Sequence, residues 1–468
     1  MGYHPGLEDD GIYLTAVKAR LNPALFPYDA SFFRLQMQAT VFDGFLAHFV
    51  RWTGMPLAWA ELFWQFASLL AILWASKKIV NLLFQDAAAR WAGVALVGAM
   101  FTLPVSGTAL YMADQHLHPR NLATALILLA VWRILAGSRW QAALFLLLAF
   151  LMHPLMGAFG ASFGLFLVLA LLDPERLRPR VLRRSTVAFL PLGWIFAPAS
   201  PLWRKALDTR RYFYLYKWTW YEWLGALAPL LFFAFVWCMA RKQGKTRLAC
   251  LAAAVFFYGA FQQALAMAML APFAPPRLMP LQPMRYLHIE YFLFTMTVGA
   301  LLGRFLLKKS VWRWMVFLLA FYGGMFLAQR AEFGGVAHLE LPGWKPANPW
   351  LQAFAWIRAN TPANAYFALD PYYLEAPGED FHSFRALAER SQLADAVKDT
   401  TVVTQVPELA PVWARQVAAQ QGWRTFRLAD FERLKAEFGV NWALVSWPQP
   451  RGLLCRWHND ALAVCQIP

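Results

Sequence analysis

Charge is scarce in this chain: Asp, Glu, Lys and Arg make up 15% of its 468 residues, whereas 59% are hydrophobic and 23 are Trp. A water-soluble core of ordinary design cannot absorb that much apolar surface, so the composition excludes a simple soluble protein and implies an integral membrane protein. Acid is scarcer than base, which leaves a formal charge of +16. The basic residues nevertheless stand in short clusters between apolar runs, without a stripe or a stacking module, and this argues against nucleic acid as a partner. Membrane lipid, anionic lipid above all, is the expected one. P-loop, GxSxG, HExxH and CxxC frameworks are all missing, which argues against an ATPase, a common lipase and a zincin. There is also no repeat or internal duplication of the kind a carrier often shows.

Cysteine is rare, with four in the chain. Cys238 and Cys250 lie in apolar runs and read as small core residues. Cys455 and Cys465 flank His458-Asn459-Asp460 at equal distance from Asp460, as in a hairpin that turns them toward one another. If that end of the chain lies outside the cytoplasm, a disulfide is expected there.

The first 54 residues carry no secretory signal and no span. Phe42, Phe45, Leu46 and Phe49 recur there at helical spacing, opposite Arg34, Gln38, Asp43 and Arg51, which predicts a helix along the bundle surface. Apolar stretches able to cross the bilayer then fall near 57–76, 91–112, 121–136, 139–152, 156–172, 185–199, 222–240, 248–271, 286–304 and 312–329. Between 139 and 172 the chain is too long for one upright helix, and His153-Pro154 predicts a break into two. With the N-terminus outside, alternate loops hold a two-to-one excess of Lys and Arg on the inner side, including the run Arg176 to Arg184. The expected fold is thus a polytopic α-helical membrane bundle over 55–330 of about ten spans, or eleven with a first helix upstream. After Arg330 the charge density becomes ordinary and no apolar run is long enough to span. Residues 331–468 are expected to form a soluble α/β domain on the outer side, with helices near 348–359, 381–391, 410–421 and 428–438. Its strands are expected near 365–369, 441–446, 452–457 and 461–467.

This topology gathers ionisable groups on the outer rim, as a site requires. Glu8-Asp9-Asp10 either solvates a loop or supplies a base and an orienting or Mg²⁺/Mn²⁺-binding carboxylate. Asp114, His116 and His118 either hold a metal or form a polar loop, with Arg120 just beyond, that caps the next helix. His153 is a helix-break residue or a ligand. Arg285, which opens a span containing His288 and Glu290, either grips a phosphate or reaches to the headgroups. The segment 200–221, with Arg204, Arg210, Arg211 and many aromatics, is either an interfacial helix or a platform for a lipid-linked phosphate.

The acidic Glu8-Asp9-Asp10 motif, the many spans and the trailing domain together resemble the GT-C superfamily of membrane glycosyltransferases, and bacterial multi-pass proteins of that general shape. Trp356-Ile357-Arg358-Ala359-Asn360-Thr361-Pro362 and Phe384-Arg385-Ala386-Leu387-Ala388-Glu389-Arg390-Ser391 are similar to stretches of such proteins. The resemblance implies an inverting transfer from a polyprenyl-phosphate-linked sugar to an acceptor at the outer face of a bacterial inner membrane, with Asp9 or Asp10 as base. The chain departs from the pattern where a first helix should precede the acidic loop. A flippase or transporter of a lipid-linked substrate, and a non-catalytic assembly protein, are the alternatives left open by the residues.

Overall fold

The computed structural model describes residues 1–172 and 195–468. The expected span 185–199 falls largely outside them, as does the basic run Arg176 to Arg184. The N-terminal segment forms three short helices, α1 (Tyr13–Leu21), α2 (Ser31–Ala39) and α3 (Phe42–Thr53), of which the phenylalanine spacing announced only the last. Phe42 and Leu46 are buried with Tyr13 and Val17 of α1, and Phe49 stacks on Phe63 at 5.7 Å. Asp43, expected on the polar face, is instead buried and paired with Arg20.

Helix α4 (Leu57–Leu83) has 27 residues, about 40 Å at 1.5 Å per residue, and is long enough to cross a bilayer. Its exposed stripe is Trp59, Phe63, Phe66, Leu70 and Trp74, while Gln65, Ser68 and Ser76 are buried. This apolar-outside arrangement suits a lipid environment and reverses the pattern of a soluble helix. Among the described residues five further stretches are long and apolar enough to span: Pro154–Leu172, Trp220–Lys242, Thr246–Met269, Pro276–Leu307 and Val311–Glu332. Cys250 is buried as expected, but Cys238 is exposed on its helix.

The expected span 91–112 is corrected. Helix α5 (Ala87–Ala99) stops early, and strands β1 (Pro104–Val105) and β2 (Leu110–Tyr111) form a small antiparallel hairpin. Pro104 and Gly107 break the run despite its hydropathy. Gly107 has φ +63, and a Cβ there would stand 2.3 Å from the Trp218 ring, so both conformation and space require glycine.

After α6 (Pro119–Leu135), α7 (Arg139–Met152) and α8 (Pro154–Leu172) meet at His153, as the proline predicts. They fold back on one another along small residues: a Cβ on Gly157 would meet the Phe150 main chain at 2.4 Å, and one on Gly164 would meet Leu146 at 3.3 Å. Glycine here lets two apolar helices approach closely where lipid offers no hydrophobic drive.

The C-terminal region carries a five-stranded mixed sheet in the order β4-β3-β5-β7-β6: β3 (Tyr366–Ala368), β4 (Ser391–Gln392), β5 (Trp442–Ser446), β6 (Leu454–His458) and β7 (Leu462–Gln466). Strand alternation feeds two cores. Trp442, Leu444, Leu462 and Val464 pack with Phe354 and Ile357 of the helix Pro349–Asn360. Ala443, Val445, Ala463 and Cys465 pack with Phe431 and Leu434 of the helix Leu428–Phe438. The β6–β7 hairpin sets Cys455 opposite Cys465, and the two are disulfide-bonded.

This region is clamped to the rest of the chain. Val403, Ala410 and Trp413 join the main helical core beside Trp203. Buried Arg385 bonds Asp29 at 2.5 Å and Asp399 at 2.7 and 2.8 Å, and Lys18 reaches Ala386 O at 2.6 Å and Glu389 at 2.8 Å.

Candidate active site at the acidic turn

Glu8, Asp9 and Asp10 form one 3₁₀ turn, Glu8–Gly11, fastened to the C-terminal region. Glu8 N–H donates to Phe381 O at 2.8 Å, Ser383 N–H donates to Gly6 O at 2.8 Å, and Leu7 bridges His382. Glu8 has φ 43, a left-handed conformation that costs a non-glycine residue energy and is held here by those contacts.

The three carboxyls have three environments. Asp9 receives Lys398 Nζ at 2.6 Å, His118 Nε2 at 3.4 Å and Arg120 Nη2 at 4.0 Å. Burial opposes its charge, but Lys398, His118 and Arg120 outweigh that and hold its carboxyl well below the usual range. Asp10 is buried, accepts Gly6 N–H at 2.8 Å and stands 3.9 Å from His116 Nε2. Burial, and then the nearby Glu61 carboxyl, push Asp10 well up. Glu8 is the most open of the three, with 40% of its side chain exposed and Lys398 Nζ at 3.7 Å. Enclosure by the surrounding protein raises its carboxyl, with Lys398 opposing and Asp9 adding to the shift.

His118 is the N-cap of α6: its Nδ1 accepts the Arg120 N–H at 3.0 Å. The neutral ring then carries its proton on Nε2, the nitrogen that faces Asp9. His116 has no hydrogen-bond partner at either ring nitrogen among the described residues, and burial pushes its imidazole down to about 3, so it is neutral. Asp114 is gripped by Arg120 through Nε at 3.0 Å and Nη2 at 2.5 Å. The guanidinium thus stands where the sequence allotted a metal to Asp114, His116 and His118. Among the described residues no three His, Cys, Asp or Glu side chains form a group able to hold one ion.

Of the other expected residues, Arg120, Arg285, Asp9 and Asp114 all lie close enough to act electrostatically on Tyr13, whose ring meets His118 at 4.5 Å. His153 lies 6.0 Å from the His118 ring and caps α8, its Nδ1 accepting Met156 N–H at 3.4 Å. His288 is fully buried and spends Nε2 on Met112 O at 3.0 Å, holding the chain ahead of the Asp114–Arg120 loop. Arg210 binds Val397 O and Thr400 beside Lys398, whereas Arg204 is exposed on the helix Pro201–Asp208 and stands apart. Lys398 is the functional candidate that sequence reasoning missed. It stands in Asp395-Ala396-Val397-Lys398-Asp399, which reads as an ordinary solvated surface.

Glu8 also lines an open cavity of about 680 Å³, between the β1–β2 hairpin and the segment from Arg211 to Gly225. Its walls include Ser106, Tyr111, Arg211, Tyr212, Tyr221, Glu222 and Tyr291. Arg211 donates to Lys217 O at 2.8 Å and Glu222 at 3.0 Å, which holds it at the wall. A concave space of that size, mixed aromatic and polar, can take a small organic ligand.

No family model matches this chain. None of the curated proteins matches it either.

Proposed function

We propose that this protein is a membrane glycosyltransferase resembling the GT-C superfamily, moving a sugar from a polyprenyl phosphate to an acceptor hydroxyl in the cavity beside Glu8. The observation that supports this reading best is the junction of an acidic turn with a tyrosine-lined cavity through one residue, Glu8, whose neighbour Asp9 is held ionised by Lys398. In the proposed step the acceptor oxygen bonds to the anomeric carbon on the face opposite the phosphate. The bond from that carbon to the phosphate oxygen breaks, the polyprenyl phosphate departs with the electron pair, and the hydroxyl proton passes to a carboxylate. Glu8 suits that base better than Asp9 or Asp10, because it faces the cavity and its raised carboxyl holds a proton more readily than Asp9 does. Asp9 orients Lys398 and His118, and Asp10 fixes the turn through Gly6. Arg211 and Arg285 supply positive charge for the departing phosphate.

Residues 1–54 and 331–468 then lie on the outer side of a bacterial inner membrane, as one layer above a bundle of about ten spans. The excess of Lys and Arg in alternate loops and the Cys455–Cys465 pair both favour that orientation.

Reconstitution into proteoliposomes with a polyprenyl-phosphate donor labelled in its sugar tests the reading. Label covalently joined to an acceptor supports it. Label that crosses the bilayer still attached to its lipid supports the transporter instead, and neither event, with a partner lost on deleting 331–468, supports an assembly role.

A further inference from the structure

The helix Leu287–Leu302 carries Glu290 into the bundle interior, where the residue is fully buried and both carboxyl oxygens lack a hydrogen-bond partner among the described residues. The slot is made by a glycine: a Cβ on Gly259 of the facing helix Thr246–Met269 would lie 2.0 Å from Glu290 Oε1. That same Cβ would lie 2.2 Å from Leu230 Cδ2 of the helix Trp220–Lys242, so three helices close around the carboxyl.

Among the described residues the titratable groups close enough to feel its charge are Tyr258 on the helix Thr246–Met269, Tyr286 just before its own helix, and Tyr291 beside it. All three phenols are committed elsewhere. Tyr258 donates to Phe159 O at 3.1 Å, Tyr286 to Gln263 Oε1 at 3.0 Å and Tyr291 to Gly225 O at 3.1 Å. His288, two residues away, uses Nε2 on Met112 O and leaves Nδ1 unpartnered among the described residues. Gln262 Oε1 and Gln263 Nε2 are also buried and unpartnered among them. No cation pairs with Glu290 there, and an isolated carboxylate at such depth is very costly. Among the described residues Glu290 belongs to no group of three His, Cys, Asp or Glu side chains able to hold a metal ion.

We propose that Glu290 is a proton-binding site in the bundle interior, its carboxyl exchanging a proton with solvent while Gly259 keeps the slot open. The proposal does not rest on the transferase reading, since Glu290 takes no part in that chemistry.

The test is infrared difference spectroscopy of the purified full chain, wild type against Glu290→Gln, which keeps the side chain's shape. A carboxylic-acid C=O band lost in Glu290→Gln, shifted by exchange into D₂O and diminished as pH rises, is the expected result. Gly259→Ala should shift or remove the same band by crowding the oxygen. A band that neither exchanges nor changes with pH would overturn the proposal in favour of a fixed structural acid. A carboxylate signal that responds to Na⁺ rather than pH would overturn it in favour of a metal site, and a band that persists in Glu290→Gln would belong to another carboxyl and overturn it too.

Discussion

Lys398 Nζ lies 2.6 Å from Asp9 Oδ1 and 3.7 Å from Glu8 Oε2, so one ammonium from the C-terminal region organises two carboxyls of the N-terminal turn. The two ends of the chain build this site together, and neither is complete without the other.

Replacing Lys398 with Met removes that charge while keeping much of its length. Breaking a partly buried charged hydrogen bond should cost about 1–3 kcal/mol, measurable as a lower unfolding midpoint in detergent. Lys398→Arg should recover part of the loss. If sugar transfer falls in Lys398→Met and its pH profile moves, the ammonium acts on the carboxyls; a lower midpoint with an unmoved profile would make it merely structural.

Arg385 is another tie between the ends, bonded to both Asp29 and Asp399. Truncating it to Leu strands two buried carboxylates, and the expected destabilisation is about 3–5 kcal/mol. Thermal unfolding of Arg385→Leu against wild type measures it. A change near zero would mean the clamp is not formed.

A pH effect follows from His382. Its Nδ1–H donates to Glu379 O at 3.1 Å and its Nε2–H to Glu340 Oε2 at 3.1 Å, so both nitrogens must carry protons. Glu340 also accepts from His4 at 3.2 Å, and Asp380 adds negative charge. Burial disfavours the imidazolium, but Glu340 outweighs it and the His382 pKa is raised. The stabilisation is therefore fully present below the unfolded value of about 6.5 and is lost as pH rises through the higher folded value. Wild type should lose its advantage over His382→Gln as pH climbs through that raised folded value, read from paired unfolding midpoints. A parallel pair of curves would contradict the assignment.

The Cys455–Cys465 bond closes a short hairpin loop. Reduction, or Cys455→Ser, should destabilise the C-terminal region by about 2–3 kcal/mol in the chain-entropy view. Hydrogen exchange along β6 and β7 with and without reductant measures it, and unchanged exchange would show that the bond contributes nothing.

Much of the architecture was legible because it obeys simple periodicities. The short continuous apolar runs in Trp442–Ser446 and Leu462–Gln466, both faces buried, marked strands β5 and β7, and Pro154 marked the reversal between α7 and α8. The β1–β2 hairpin was misread because Val105, Leu110, Tyr111 and Met112 keep hydropathy high across a true break. Of the candidate site, the acidic turn was visible, and so was the helix-capping option for the histidine loop, which His118 realises. Lys398, Lys18 and the Arg385–Asp29 pair were not legible, since each is defined by a partner far away in sequence and nothing local distinguishes it from a solvated charge.

The most direct measurement is release of free polyprenyl phosphate from a polyprenyl-phosphate sugar by the purified chain, compared among wild type, Glu8→Gln and Asp9→Asn at matched unfolding midpoints. The account predicts release by wild type in step with glycosylated acceptor, a loss of at least about 100-fold in Glu8→Gln, as expected when a general base is removed, and a large loss in Asp9→Asn. Equal release by all three proteins would contradict it.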